Sequence, residues 1–248
     1  LATAIADAKT LDARLGLLRH VRDACEALAF AHRARIVHRD IKPANIMVGE
    51  LGETQVLDWG LARELDLPDV DARGATATTD MELTRAGAIV GTPRYMSPEQ
   101  AAGEPATPRS DVWSLGALLY EVCAARPALD APSDSVLAAA RAGAIPNVLT
   151  IEPRTPPELA AIVMRALAPG PADRFADARE LAADLGAYLD GRRVGAHSYT
   201  TWDLFVRLVR AWRVPLGIGA LATIATVIGL AIAFASASAE HGGPAPIR

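Results

Sequence analysis

Leu15, Leu18, Val21, Cys25, Leu28 and Ala29 recur three or four positions apart, the interval that lines side chains along one face of a helix. They predict a helix from about Asp12 to Ala34, which delivers the chain to Ile36-Val37-His38-Arg39-Asp40. After Pro43, a short apolar run, Ile46-Met47-Val48, is parted from Thr54-Gln55-Val56-Leu57 by a glycine-bounded turn over Gly49 to Glu53. Two such runs around a tight turn predict a small β-hairpin. From Ala62 to about Val90 no apolar period is sustained and Thr, Asp, Ala and Gly dominate; a loop that long inside a compact domain is usually functional or disordered. Helical spacing returns over Ser110 to Ala125, Ser133 to Ala142, Pro157 to Leu167 and Asp177 to Leu189. The expected fold class is α+β, predominantly α, with a short β-hairpin, and no repeat period is visible.

Polarity changes sharply near the end. Val214 to Ala235 is apolar and uncharged, about the 20 residues that a helix needs to cross a bilayer core, and a buried core helix rarely goes so long without a polar residue. Before it, Trp202, Phe205, Leu208, Val209 and Trp212 share one face of a helical repeat and Arg207, Arg210 and Arg213 decorate the rest, the pattern of an interfacial helix on an anionic leaflet. Beyond the run the only Lys or Arg is Arg248. The positive-inside rule then puts the large N-terminal part in the cytoplasm and the tail outside a single-pass inner-membrane protein. The expected organisation is a domain over 1–190, a basic juxtamembrane segment over 191–213, a transmembrane helix over 214–235 and an extracytoplasmic tail over 236–248. Gly217, Gly219, Ala220 and Thr223 have small-residue spacing that would let two spans pack as a homodimer, although glycine is ordinary in membrane helices.

Composition adds limits. The chain has 248 residues, 51% of them hydrophobic, enough for one core of domain size with an appendage. A net charge of −4 gives no ground for a nucleic-acid partner. Cys25 and Cys123 sit in apolar helical patterns outside any CxxC pair and read as small buried hydrophobes; His20, His32, His197 and His241 show no metal-ligand spacing and read as ordinary histidines. Lys9 and Lys42 are the only lysines against many arginines, so a retained lysine is notable. The chain opens on Leu1 without a signal-like segment, which suggests an excerpt or a missing N-terminus.

Candidate chemistry is concentrated in His38-Arg39-Asp40-Ile41-Lys42-Pro43-Ala44-Asn45, followed after the hairpin by Asp58-Trp59-Gly60. A lone His-Arg-Asp triplet is weak evidence, whereas the whole ordered series is not a chance event. The series resembles the catalytic and metal-binding loops of eukaryotic-like serine/threonine protein kinases, bacterial membrane-anchored branch, over roughly residues 1–190. That resemblance implies ATP and Mg2+ as cofactors and serine or threonine hydroxyls of proteins as acceptors. It implies Asp40 as catalytic base, Lys42 as the charge neutralising the transferred phosphoryl group, Asn45 and Asp58 as magnesium ligands, and Met47 as an apolar floor beneath adenine, with simple core packing the equal alternative for Met47. A lysine two residues after the aspartate is the serine/threonine-type pattern, and a compact ammonium suits it better than a planar guanidinium.

Gly91-Thr92-Pro93-Arg94-Tyr95-Met96-Ser97-Pro98-Glu99 resembles the end of the activation segment, with Ser97 where alanine is more usual. The resemblance has Thr92 bridging Asp40 and Lys42, Glu99 paired with Arg174, and Asp111 bonded to the catalytic-loop backbone, the last three being scaffold. Arg39 before the aspartate is often the partner of a phosphorylated activation loop, for which Thr76, Thr78, Thr79 and Thr84 are candidate acceptors against a plain solvated linker. Two departures stand out. Trp59 replaces the usual phenylalanine, which bears on regulation more than chemistry. Upstream of residue 12 there is no glycine-rich phosphate loop, strand lysine or helix glutamate, and Lys9 is no substitute; the resemblance is to the large lobe alone, and this chain by itself is expected to bind ATP weakly and transfer little. The rival readings are a membrane-tethered pseudokinase or interaction module, disfavoured by the intact Asp40, Lys42, Asn45 and Asp58, and a small-molecule phosphotransferase, disfavoured by the Thr92 to Glu99 segment.

Overall fold

The computed structural model describes residues 1–65, 93–199, 223, 224 and 226–230. It separates into two units, Leu1–His197 and Ser198–Arg248. Outside the described residues lie Thr76, Thr78, Thr79, Thr84 and Thr92, the segment over 200–213, Gly217, Gly219 and Ala220, most of 214–235, and the tail over 236–248.

In the first unit the chain runs α1 (Ala2–Asp7), α2 (Leu11–Leu15), α3 (Leu18–Arg33), β1 (Ile36–Val37), β2 (Ile46–Val48), β3 (Thr54–Val56), β4 (Arg63–Glu64), α4 (Pro98–Ala101), α5 (Pro108–Ala124), α6 (Val136–Ala142), α7 (Val148–Ile151), α8 (Pro157–Ala166) and α9 (Ala178–Leu189). The expected helix over Asp12 to Ala34 is two helices. Leu17 N–H reaches back to Arg14 C=O at 2.9 Å, and the turn lets α2 face the end of α5 while α3 packs against α9 and the hairpin. Arg14 accounts for the change of direction: only 5% exposed, it donates to the Val122 and Cys123 carbonyls at 2.9 and 3.1 Å. A guanidinium at the carboxyl end of α5 satisfies orphan carbonyls and opposes the negative end of the helix dipole.

β2 and β3 pair antiparallel with Ile46 opposite Val56 and Val48 opposite Thr54, as the sequence predicts. A second ladder does not follow from the sequence: Ile36 pairs with Glu64 and Val37 with Arg63. The expected loop from Ala62 therefore begins with two strand residues. The ladder is too short to leave an alternating pattern.

α5 is the axis of the unit. From Ser110 to Tyr120 every residue is buried, so it reads as a core helix rather than an amphipathic one. Gly116 is required there, because a Cβ at that position would stand 2.8 Å from the Ala166 Cβ; its absence lets α5 and α8 approach backbone to backbone. Both cysteines are free and buried, and burial pushes both thiols up, away from the reactive thiolate.

In the second unit, residues 223–224 and 226–230 are helical, and Ile224, Val227, Ile228 and Leu230 are exposed. Among the described residues no helix is long and apolar enough to cross a membrane.

Candidate active site

The site is assembled on the buried end of α5. Asp111, at 0% exposure, accepts from Arg39 N–H through Oδ1 and from His38 N–H through Oδ2, both at 2.9 Å. Its Oδ2 also accepts from His32 Nε2 at 2.9 Å. His32 Nδ1 in turn accepts the Ala178 N–H at 3.3 Å, an arrangement that places the imidazole proton on Nε2. One carboxylate thus binds α3 and the loop after β1, and through His32 the start of α9. It holds Arg39 in a left-handed conformation, φ 72°, which a non-glycine residue adopts only where its surroundings impose it.

Next in the chain, Asp40 receives Lys42 Nζ at 2.6 Å and Asn45 Nδ2 at 3.0 Å, both on Oδ2. The same Asn45 nitrogen donates to the Asp40 carbonyl at 2.8 Å. Among the described residues nothing bonds Asp40 Oδ1, and the Asn45 amide, committed by its nitrogen, presents its oxygen. The Asp40 and Lys42 side chains are 20% and 19% exposed, so the pair is held by the fold yet open to solvent. His38 orients the loop from below: Nε2 donates to Leu57 C=O at 3.0 Å and Nδ1 accepts from Asp40 N–H at 3.3 Å.

The hairpin brings Asp58 to this loop. Leu57 N–H donates to Asn45 C=O at 2.8 Å, which lays the residues before Asp58 alongside Asn45. Asp58 is left-handed, φ 62°, exposed, and makes no side-chain bond among the described residues. Trp59 packs its ring 4.6 Å from that of His38 and donates Nε1–H to Val56 C=O at 3.0 Å. Met47 is 44% exposed, and Leu57, Trp59 and Leu61 are exposed at 38%, 39% and 51%, an apolar fringe next to the polar groups in sequence. Lys9 donates to Ala6 C=O on the surface.

Beyond the segment over 66–92, Glu99 and Arg174 form the expected pair in bidentate geometry, Nη1–Oε1 2.8 Å and Nη2–Oε2 2.9 Å. Arg174 also donates to the carbonyls of Ala168 at 2.8 Å and of Arg109 and Pro169 at 3.0 Å. All five guanidinium protons are thereby used, and the ion stacks over Trp113 at 4.9 Å. Burial by itself would raise the Glu99 carboxyl, but the bonds from Arg174 and Ser110 outweigh it and hold Glu99 below the usual range.

Two further residues belong to this architecture, His32, which reads in the sequence as an ordinary histidine, and Arg63, for which the sequence offers no signal. His32 falls four positions after Leu28 on the buried stripe of α3, and a histidine in an apolar stripe implies a buried partner; that spacing was the available signal. Arg63 is set opposite Val37 by the β1–β4 ladder, two residues before Arg39, a proximity that only the pairing reveals.

No group of three or more His, Cys, Asp or Glu side chains able to hold a metal occurs among the described residues. The Asn45 oxygen and the unengaged Asp58 carboxylate are instead two hard oxygen donors, which suit a magnesium ion completed by phosphate and water.

The chain belongs to the protein kinase domain family, whose model matches residues 5–198. It is similar to a probable serine/threonine-protein kinase of Streptomyces coelicolor, 39% identical over 189 residues that cover 76% of this chain and 25% of that protein. It is similar also to the serine/threonine-protein kinase PknB of Mycolicibacterium smegmatis, 39% identical over 183 residues covering 73% of this chain and 27% of the relative, and to PknB of Mycobacterium tuberculosis H37Rv, 40% identical over 167 residues covering 66% and 25%. The chain spans about a quarter of the length of these curated relatives.

Proposed function

We propose that this chain carries the transfer site of a serine/threonine protein kinase that moves the γ-phosphoryl group of ATP to protein hydroxyls. The carrying observation is the asymmetric engagement of Asp40: Lys42 and Asn45 both bond Oδ2, which leaves Oδ1 to accept the proton of a substrate hydroxyl. As that oxygen bonds to the γ-phosphorus and the bond to the β-phosphate breaks, its proton passes to Asp40 and ADP leaves. Lys42, already held beside Asp40, stands ready to turn its ammonium toward the charge on the transferred group. Asn45 and Asp58 would hold magnesium, which when bound neutralises the phosphates. Met47, exposed at the start of the hairpin, offers its thioether as the floor beneath adenine. Glu99, Arg174 and Asp111 keep loop and activation segment in register. Arg39, with Arg63 close by in the strand ladder, supplies cations for a phosphorylated Thr76, Thr78, Thr79 or Thr84, and Thr92 would join Asp40 and Lys42 once substrate is present.

The kinase domain covers 1–190 in this reading, and residues 214–235 anchor it in the inner membrane as a single span, with 191–213 at the cytoplasmic surface and 236–248 outside. The support is the uncharged apolar run and the exposure of Ile224, Val227, Ile228 and Leu230; carbonate extraction of membranes tests it, release into the soluble fraction being the contrary result.

The transfer reading is tested in the full-length protein carrying this chain with a serine- or threonine-bearing protein and labelled ATP. Asp40→Asn is expected to lower the rate by about 10²- to 10⁴-fold with an unchanged unfolding midpoint. Transfer that survives in both Asp40→Asn and Asp58→Ala would remove these two carboxylates from the reading, and no transfer by the wild-type protein would leave a non-catalytic interaction module as the better account.

A further inference from the structure

Ser97, where the resemblance has alanine, has a structural reason that leads to Gln100. Ser97 is fully buried and caps α4. Two donors from it, its backbone N–H at 3.2 Å and its hydroxyl at 2.9 Å, converge on Gln100 Oε1, while Gln100 N–H returns to the Ser97 hydroxyl at 3.4 Å. The Gln100 amide has one orientation, because a flip would set its NH2 against the Ser97 backbone N–H. The NH2 therefore points the other way, and it donates to Arg39 C=O at 3.0 Å.

That carbonyl belongs to the peptide joining Arg39 to Asp40. Its other end, the Asp40 N–H, is held by His38 Nδ1 at 3.3 Å, and the Arg39 N–H on the preceding peptide is held by Asp111. Arg39 is left-handed, so the backbone leading to Asp40 departs from its relaxed conformation and stays there only while these bonds persist. Asp111 and His38 lie in the scaffold, whereas Gln100 lies on α4, one residue after Glu99 and its anchoring pair with Arg174.

We propose that Gln100 is a positioning residue for Asp40: through the Arg39 carbonyl it ties the end of the activation segment to the peptide that aims the catalytic carboxylate, and Ser97 fixes the amide so that it can do so. The inference rests on the transfer reading of Asp40 given above.

Gln100→Glu separates this role from simple helix capping. A glutamate accepts both Ser97 donors, since serine followed three residues later by glutamate is itself a capping pair, but a carboxylate cannot donate to Arg39 C=O. In the full-length protein the unfolding midpoint of Gln100→Glu is expected to fall by no more than the loss of one partly buried hydrogen bond. Its kcat is expected to fall about 5- to 10-fold, the worth of one lost hydrogen bond felt in the transition state, with KM for ATP and protein substrate within about 2-fold. Ser97→Ala, which keeps one of the two donors on Oε1, should lower kcat by only about 2- to 3-fold. Hydrogen exchange at the Asp40 amide provides a readout independent of transfer and should quicken by about 10-fold in Gln100→Glu. A wild-type kcat in Gln100→Glu, or an Asp40 amide that exchanges at the wild-type rate, overturns the proposal. Should the wild-type protein transfer no phosphate, the transfer reading fails, and the exchange measurement alone decides whether Gln100 holds the peptide.

Discussion

Asp111 and Asp58 are both carboxylates close to a left-handed backbone residue, and the fold treats them in opposite ways. Asp111 is fully buried and accepts three hydrogen bonds, two of them from the backbone of the loop that carries Asp40. Asp58 is exposed, itself left-handed, and without a side-chain bond among the described residues. The first carboxylate is consumed in building the site, and the second is kept available. A buried carboxylate with both oxygens engaged fixes geometry, whereas an exposed one leaves its charge for a partner that arrives later.

The strongest way to break this contrast is to remove each carboxylate. Asp111→Ala strands two backbone N–H groups and the His32 Nε2–H in a buried site and should cost at least about 3 kcal/mol, at about 1–3 kcal/mol for each buried group left unpaired; chemical denaturation measures it. Asp58→Ala should leave stability within about 1 kcal/mol of wild type, alanine being less at ease than aspartate at a left-handed position, while abolishing magnesium-dependent transfer. Equal destabilisation by both changes would show that Asp58 is scaffold as well.

A smaller effect sharpens the same point at the other buried carboxylate. The folded-state pKa of Glu99 is depressed below its unfolded value, so the folded protein binds its proton less readily. The resulting stability is present above the unfolded pKa, begins to decline near about pH 4.3, and is lost as pH falls through the folded value. Denaturation midpoints between pH 7 and pH 3 should fall more steeply in wild type than in Glu99→Gln, which lacks the titration; parallel curves would remove Glu99 from the account.

The smallest effect concerns the loop of Asp58. Trp59→Phe removes one exposed bond to Val56 C=O and should cost about 0.5–1 kcal/mol or less. A larger loss would mean that the His38–Trp59 ring contact holds the loop of Asp58 more firmly than its exposure suggests.

What the sequence made legible follows the range of each interaction. The β2–β3 hairpin, α8 and α9 left their periods in the chain, and they and the uniformly buried α5 appear within a few residues of the expected bounds. The ordered motif placed Asp40, Lys42, Asn45 and Asp58 on neighbouring loops, and the Glu99–Arg174 pair could be named in advance. The interruption at Gly16–Leu17 was hidden, because Arg14 serves carbonyls more than a hundred residues away, and the apolar repeat passes through the break unchanged. The β1–β4 ladder was hidden because two residues carry no period. His32 and Gln100 escaped because their partners, Asp111 and Arg39 C=O, are defined by tertiary placement rather than by neighbours in sequence.

The imidazole of His32 also sets an order of events during synthesis. Domains emerge from the ribosome N-terminus first, and the Ala178 N–H that satisfies His32 Nδ1 is among the last parts of the unit to appear. A nascent chain that has already made the Asp40 loop and α5 still lacks the donor that fixes the proton on the Asp111 side of that ring. The loop carrying Asp40 is therefore finished only when α9 docks on α3, and a chain released before residue 178 is expected to hold every residue of the transfer motif in a site that has not yet set.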